Sequence, residues 1–341
     1  MSREEQHVLS VHGAGGELAG QLLARHVLTR FAGHRAGRIG LEALDDGATV
    51  ALPPTGEIVL TTDSHVVKPI VFPGGDIGRL AAAGTINDLA VMGARPLALT
   101  LSLILEEGFP FATLDKLLDS FATVLEEVGA ALITGDTKVM GPGEIDGIAI
   151  NTAGIGVAAH AVSDADLRPG DRILATGTLG DHGMALIVAR EGFRLESDLR
   201  SDVAPIWGLV ERALAVGGIR AMKDPTRGGA AAALNEMARK SRKTIEIDGP
   251  SLPIRPEVRS LSEIVGISPL EVASEGRALL VVDPAAAAEV LGALRSHPLG
   301  EDACEIGRVS TSHPSKVIIA TEVGGRRFLE MPLGDPVPRI C

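Results

Sequence analysis

Short apolar runs and longer amphipathic ones alternate along the chain, and their spacing predicts most of the secondary structure. Residues 49–52 and 57–62 are β-rich runs on either side of Pro53-Pro54-Thr55-Gly56, which predicts two strands joined by a turn, the second leading into Asp63. After Gly74-Gly75-Asp76 the period becomes helical over 77–92, with Gly93 placed to cap the C-terminus and Asp88 inside the helix. Further strands are expected at 97–105, 131–134 and 147–157, and a helix over 114–128 with Thr113 as its N-cap. These elements make one mixed α/β unit. Between 161 and 171 the chain turns polar, with Ser163-Asp164 and Arg168-Pro169-Gly170-Asp171, which predicts a domain boundary. Beyond it, strands are expected at 172–176, 278–282 and 316–320 and helices at 181–190, 203–216, 229–240 and 284–295, a second α/β unit. The two ends break the pattern. Residues 1–40, rich in His, Gly and Arg and holding Val11-His12-Gly13-Ala14-Gly15-Gly16, read as a flexible arm. Residues 331–341 carry Pro332, Pro336 and Pro338 and read as an extended, unpacked tail.

Composition narrows the function. A chain of 341 residues accommodates two units of about 150 residues each. Apolar residues are 45% but aromatics only 2%, so Ala, Leu, Val and Ile fill the core and a base-stacking platform is not expected. The net charge of −12 repels phosphate backbones and anionic headgroups, so neither nucleic acid nor a membrane is an expected partner. No apolar stretch has the length of a membrane span. Two cysteines without a CxxC pair, and a start (Met1-Ser2-Arg3-Glu4-Glu5) without a leader pattern, point to a reduced, cytoplasmic protein.

Candidate chemistry lies in aspartates at strand ends and Gly-rich turns: Asp45-Asp46-Gly47, Thr62-Asp63-Ser64, Asn87-Asp88, Gly135-Asp136-Thr137-Lys138 and Asp224-Pro225-Thr226-Arg227-Gly228-Gly229. Taken singly, each is explained as a helix cap or turn residue. Taken together they suggest convergence, because gathered carboxylates repel unless a hard cation such as Mg²⁺ holds them, and Mg²⁺ commonly also grips substrate phosphates. No P-loop lysine motif is present, and the loose fingerprint at Gly154-Ile155-Gly156-Val157-Ala158-Ala159 lacks a following helix, so it reads as a strand-end turn. Arg227-Gly228-Gly229 entering a helix offers unpaired N–H groups to an anion. HExxH, GxSxG and zinc-spaced Cys/His sets are absent. Cys304 reads as an inert, partly buried thiol. Cys341 is different: no residue follows it for prenylation, and a thiol on a loose tail is an oxidation hazard without a purpose. From Pro332 the tail could span roughly 30 Å at about 3.3 Å per residue, a swinging arm for the sulfur.

His12-Gly13-Ala14-Gly15-Gly16, Thr62-Asp63-Ser64, Gly135-Asp136-Thr137-Lys138, Asp224-Pro225-Thr226-Arg227-Gly228-Gly229, Ala273-Ser274-Glu275-Gly276 and Pro338-Arg339-Ile340-Cys341 together resemble the HypE family, the carbamoyl dehydratases of nickel–iron hydrogenase maturation, over essentially the whole chain. The aspartate motifs are shared with aminoimidazole ribonucleotide synthetase, selenophosphate synthetase and thiamine-monophosphate kinase; the terminal Pro-Arg-Ile-Cys is the specific one. The resemblance implies an α/β and α+β, two-domain PurM-like (aminoimidazole ribonucleotide synthetase-like) fold: an arm with a Gly-rich lid at 1–40, an ATP-binding and dimerisation domain at 41–160, an α+β domain at 166–330 and a flexible tail at 331–341. It implies that Asp46, Asp63, Asp88 and Asp224 hold Mg²⁺ and ATP, with Asp45 an alternative to Asp46, and that Asp136, Thr226 and Gly228 also meet the nucleotide. Lys138 as an electrostatic clamp and Glu275 as a base would stand beside Cys341. The implied reaction is ATP-dependent dehydration of an S-carbamoyl group on Cys341 to a thiocyanate. The implied partners are a second copy of the chain, a HypF-type carbamoyltransferase and a HypC–HypD cyanide acceptor. Two other readings remain open from residues alone: a selenophosphate-synthetase-like small-molecule enzyme, whose arm usually carries the Cys or selenocysteine missing here, and a nucleotide-binding scaffold with a docking tail.

Overall fold

The computed structural model describes residues 7–13, 16–43, 47–191, 198–321, 323–334 and 336–337. A helix α1 (Gly16–Leu22), continued by a π-turn at Leu23–Val27, precedes the long strand β1 (Glu57–His65) and a short hairpin of β2 (Val71–Phe72) and β3 (Gly75–Asp76). Then come α2 (Ile77–Val91), β4 (Arg95–Glu106), α3 (Phe111–Val128), β5 (Ala131–Met140) and β6 (Ile148–Ala158). The four long strands form one sheet in the order β1-β6-β4-β5, antiparallel except for the β4–β5 pair.

The second unit follows as β7 (Arg172–Ala175), α4 (Asp181–Glu191), α5 (Trp207–Val216), β8 (Ile219–Lys223), α6 (Gly229–Ser241) and β9 (Thr244–Asp248). It is completed by α7 (Pro256–Val265), β10 (Leu279–Val282), α8 (Ala287–Arg295), β11 (Cys304–Ser310), β12 (Val317–Ala320) and β13 (Arg326–Phe328). Its sheet runs β13-β12-β9-β11-β7-β10-β8. Among the described residues no helix is long and apolar enough to cross a membrane.

Alternation explains the faces of the first sheet. Along β1, Val59, Thr61, Asp63 and His65 point inward, while Ile58, Leu60, Thr62 and Ser64 point out, with Ile58 and Leu60 exposed. Helix α2 has no polar face to offer water: 13 of its 15 residues are buried. It lies on β1 and β6, beside α3, and touches α5 of the second unit, so one helix belongs to both cores. Asp76 caps it by accepting from the Arg79 N–H at 2.9 Å.

Several expectations are corrected. The arm at 1–40 is packed wherever it is described: Val8, Leu22, Val27 and Phe31 are buried, the His26 ring stacks on Phe111 at 4.3 Å, and Arg30 pairs with Asp115 and Asp119 at 2.8 and 2.9 Å. A few apolar residues seat it on α3, and its basic residues meet that helix's acids; the Gly and His content hid this. Ala14 and Gly15, the centre of the expected lid, lie outside the described residues. The strand expected at 49–52 is a single bridge from Val50 to Ala36, because the neighbouring prolines cannot extend a ladder. Pro110, not Thr113, stands at the N-cap of α3. The glycines from Gly154 lie within β6 rather than in a turn after it. The tail expected to be unpacked has a buried anchor, with Val337 only 3% exposed. Helix α5 starts at Trp207, preceded by a buried non-helical segment at 203–206 that the expected helix had absorbed.

The α2–α3 contact gives a stability prediction. A Cβ at Gly78 would collide with the Leu117 carbonyl oxygen of α3. Gly78→Ala should therefore cost about 1–3 kcal/mol and lower the melting temperature in a calorimetric scan, although alanine is the better helix former.

A candidate active site at the seam of the two units

Where β1, α2 and the loop after β8 meet, a small cavity of about 80 Å³ is lined by Thr62, Asp63, Gly84, Asp88, Asp224, Thr226, Arg227 and Glu275. Each element supplies a side chain for a local reason. Asp63 sits on the inward face of β1, between Thr61 and His65, and so faces α2 rather than solvent. One turn of α2 places Asp88 opposite, where it accepts a hydrogen bond from Thr61 Oγ1 at 2.8 Å. Asp224 follows β8, and the next turn carries Thr226 and Arg227 to the start of α6. Gly229 is in the left-handed region (φ 60°), and a Cβ there would strike the Leu270 and Val272 carbonyls, so this entry into α6 demands glycine. Glu275 arrives from the segment before β10 with its carboxyl buried.

The electrostatics are those of crowded acids away from water. Burial first, and then the charge of Asp224, pushes Asp88 up to about 7. Burial also raises Asp224, and it raises Glu275 well above the usual carboxylate range, with Asp224, Asp202 and Asp63 adding repulsion. Glu275 Oε1 has no hydrogen-bond partner, and neither ring nitrogen of His65 has one. Arg227 Nη1 lies 3.8 Å from Asp63 Oδ1 and His65 Nε2 3.6 Å from Asp63 Oδ2.

Of the residues singled out in the sequence, Asp63, Asp88, Asp224, Thr226 and Glu275 come together at this cavity, and Gly228 caps the adjoining helix. Asp136 and Lys138 do not. They lie on β5, exposed and paired with each other at 3.3 Å. Register explains the separation: Ser64, Asn151, Ser102 and Asp136 form one rung across the sheet, so Asp136 stands three strands, about 14 Å, from β1 and on the face opposite Asp63. Asp45, Asp46 and Cys341 lie outside the described residues. Cys304 is half-buried, its thiol pushed up by burial, as an inert sulfur would be. Reading the sequence missed Arg227 as a partner of Asp63 and missed Asn87, whose buried amide ties the units together; the Asn87-Asp88 pair was visible, but nothing local distinguishes a lock from a cap.

Among the described residues no group of three or more His, Cys, Asp or Glu side chains is set to hold a metal ion by itself. The acidic and hydroxyl side chains at the cavity, Asp63, Asp88, Asp224 and Thr226, nonetheless offer only oxygen ligands. That set fits Mg²⁺, which takes one or two carboxylates and completes its shell with water and phosphate oxygens.

Two α/β sheets closing on an acidic seam define the class. Residues 44–158 match the N-terminal domain of the AIR synthase related proteins and residues 168–320 the C-terminal domain. Within that class the chain belongs to the HypE family of carbamoyl dehydratases, enzymes of hydrogenase maturation: it is 45% identical to carbamoyl dehydratase HypE of Rhizobium leguminosarum bv. viciae, covering 97% of this chain and 94% of that one. It is also 48% identical to a hydrogenase expression/formation protein of Methanocaldococcus jannaschii, over 98% and 99% of the two chains. Among solved structures, a hydrogenase maturation protein HypE in complex with ATP superposes with a TM-score of 0.92 at 38% identity, covering 98% of this chain and 99% of that one. The HypE chain of a HypE–HypF complex superposes at 0.79 with 41% identity, over 93% and 100%.

The raised acids fix a pH dependence. A carboxyl with a higher affinity for protons in the folded state makes folding less favourable as pH rises from its unfolded to its folded value. With metal chelated, the melting temperature should fall between pH 4 and pH 7, and Asp88→Asn should flatten that fall and stabilise the protein at pH 8, by an amount on the order of a few kcal/mol. A steeper fall in the variant would contradict the assignment.

Proposed function

We propose that this chain dehydrates an S-carbamoyl group on Cys341 to a thiocyanate at the expense of ATP, and passes the cyano group on toward the iron of a nickel–iron hydrogenase. The observation that carries this reading is Glu275, a buried carboxyl with an unpartnered oxygen on an aspartate-lined cavity. Burial, with repulsion from Asp224, Asp202 and Asp63, raises its proton affinity well above that of an ordinary carboxyl.

A thiocarbamate becomes a nitrile only by losing its oxygen, and oxide does not leave. Attack of the carbonyl oxygen on the γ-phosphate of ATP turns that oxygen into a phosphate ester, and phosphate leaves well. At the start of α6 the Gly229 N–H is spent on the Thr226 carbonyl at 2.8 Å, so it is Arg227, beside that turn, that would offer a positive charge to the group in transit. Glu275 takes an N–H proton as phosphate departs, a role worth about 10²–10⁴ in rate. Asp63, Asp88 and Asp224, joined by Asp46, would hold Mg²⁺, which supplies neutralisation of phosphate charge. Thr226 would help seat the nucleotide, whereas Asp136, on the opposite face of the sheet, would not reach it from its own chain.

The tail supports the same reading. A Cβ at Gly228 would be 3.8 Å from Pro332 Cγ, so the tail runs past the helix start that borders the cavity. Cys341 is four residues beyond Val337 in sequence, a separation whose covalent length sets a maximum of about 13 Å.

The outward face of the first sheet, with exposed Ile58 and Leu60, is the surface we assign to a homodimer. Asp136 and Lys138 stand on that face, so Lys138 would act as a clamp from the interface rather than from its own chain's cavity. A HypF-type carbamoyltransferase, like the one bound to HypE in a similar structure, would load Cys341, and a HypC–HypD pair would accept the cyanide. A reactive thiol of this kind suits the reducing cytoplasm.

Mass spectrometry of the C-terminal peptide tests the reaction: carbamoylated Cys341 should lose one water when ATP and Mg²⁺ are added. Glu275→Gln should hold the carbamoyl form, about 10²–10⁴ slower, with ATP affinity unchanged; wild-type speed in that variant would remove Glu275 as the base. For the interface, Leu60→Glu should sediment as a monomer where the parent chain sediments as a dimer.

A further inference from the structure

Asn87 and Asp88 are consecutive on α2, yet they serve different sides of the seam. Asp88 turns to Thr61 and the cavity. Asn87, 2% exposed, turns to the second unit: its Nδ2 donates to the Glu275 carbonyl at 2.9 Å and to the Ala204 carbonyl at 3.1 Å, and its Oδ1 accepts from the Ile206 N–H at 2.9 Å. From the other direction Asp202 Oδ1 accepts from the Glu275 N–H at 3.0 Å. Glu275 is thus gripped at both its backbone N–H and its C=O, while its carboxyl keeps an oxygen without a partner. Two segments distant in sequence, at Asn87 and Asp202, hold one residue's backbone, a heavy investment of buried hydrogen bonds around a side chain that keeps an oxygen unpartnered.

We infer that Asn87 is a positioning residue for the dehydration: through the Glu275 carbonyl it sets the base against Asp88 and the phosphoryl end of the site. The inference rests on Glu275 being the base. In the reaction, the carbonyl oxygen forms its bond to the γ-phosphorus as the bond to ADP breaks. The C–O bond of the ester then breaks with its electron pair on phosphate, while the nitrogen gives up its proton and forms the third C–N bond. Of the two N–H protons lost in all, one leaves on phosphate and one passes through Glu275 to solvent. A competing path is open to the ester: water adds at the same carbon, phosphate leaves, and the thiocarbamate is restored with ATP spent. Displacing the base slows elimination alone, so it shifts the partition toward water without altering how ATP binds.

The readout is therefore ADP formed per thiocyanate formed, on full-length chain carbamoylated at Cys341 by a HypF-type carbamoyltransferase. The parent protein should give a ratio near one. Asn87→Ala should raise the ratio several-fold while ATP affinity stays within about twofold, and Asn87→Asp, which keeps the shape but turns two donated bonds into facing oxygens, should do the same or more. If Asn87→Ala does not fold, Asn87→Ser, which retains a hydroxyl for one of the three bonds, gives the same measurement. Glu275→Gln run alongside separates the two claims. A ratio that stays at one in Glu275→Gln ends the assignment of the base and this inference with it. A ratio that rises there but stays at one in the Asn87 variants, with both products falling together, leaves Asn87 a purely structural tie and overturns the inference alone.

Discussion

A carboxylate taken out of water must find a counter-charge, a metal or a proton, and this fold takes Asp88, Asp224, Asp202 and Glu275 out of water within one seam. Much else in the structure can be read as a response to that cost. Arg277 stands 3.5 Å from Asp202, Arg227 guards Asp63 at the cavity mouth, and Thr61 gives Asp88 its hydroxyl. What remains unpaired, above all Glu275 Oε1, is a buried acceptor held at an unfavourable cost in free energy.

The seam persists because α2 has nowhere else to go. A helix apolar on every side has to be covered on every side, and here the first sheet, α3 and α5 do so. Its few polar side chains then carry the positional information, since they face whatever the covering elements bring. Asn87 ties down the segment from Ala204 to Ile206 together with Glu275, and one residue later Asp88 enters the cavity. Rigid packing and acid chemistry therefore share two adjacent residues.

The pattern of apolar positions was sufficient for the strands and helices with a strong period. Helix α2, strands β4 and β6, and α6 after its two glycines emerge within a few residues of where spacing puts them. Weakly patterned pieces were not legible. Strands β8 and β9 and helix α7 carry charged residues through their length, and the arm before β1 shows its apolar contacts only once α3 is there to receive them. The five aspartate motifs were visible as motifs, but three of their aspartates meet at the cavity and Asp136 does not, a difference that depends on which face of which strand each occupies.

By itself, then, the chain's sequence determined its family, its strong secondary structure and the inventory of acids, because residue type and spacing are local properties. Tertiary structure decided which acids share a cavity, that Lys138 stands apart from Glu275, and that Asn87 is a lock, because proximity across sheets and between units arises only when distant segments bury one another. Proton affinity belongs with the second group: Asp88 near 7 is a property of what surrounds it, and no neighbour in sequence supplies that environment.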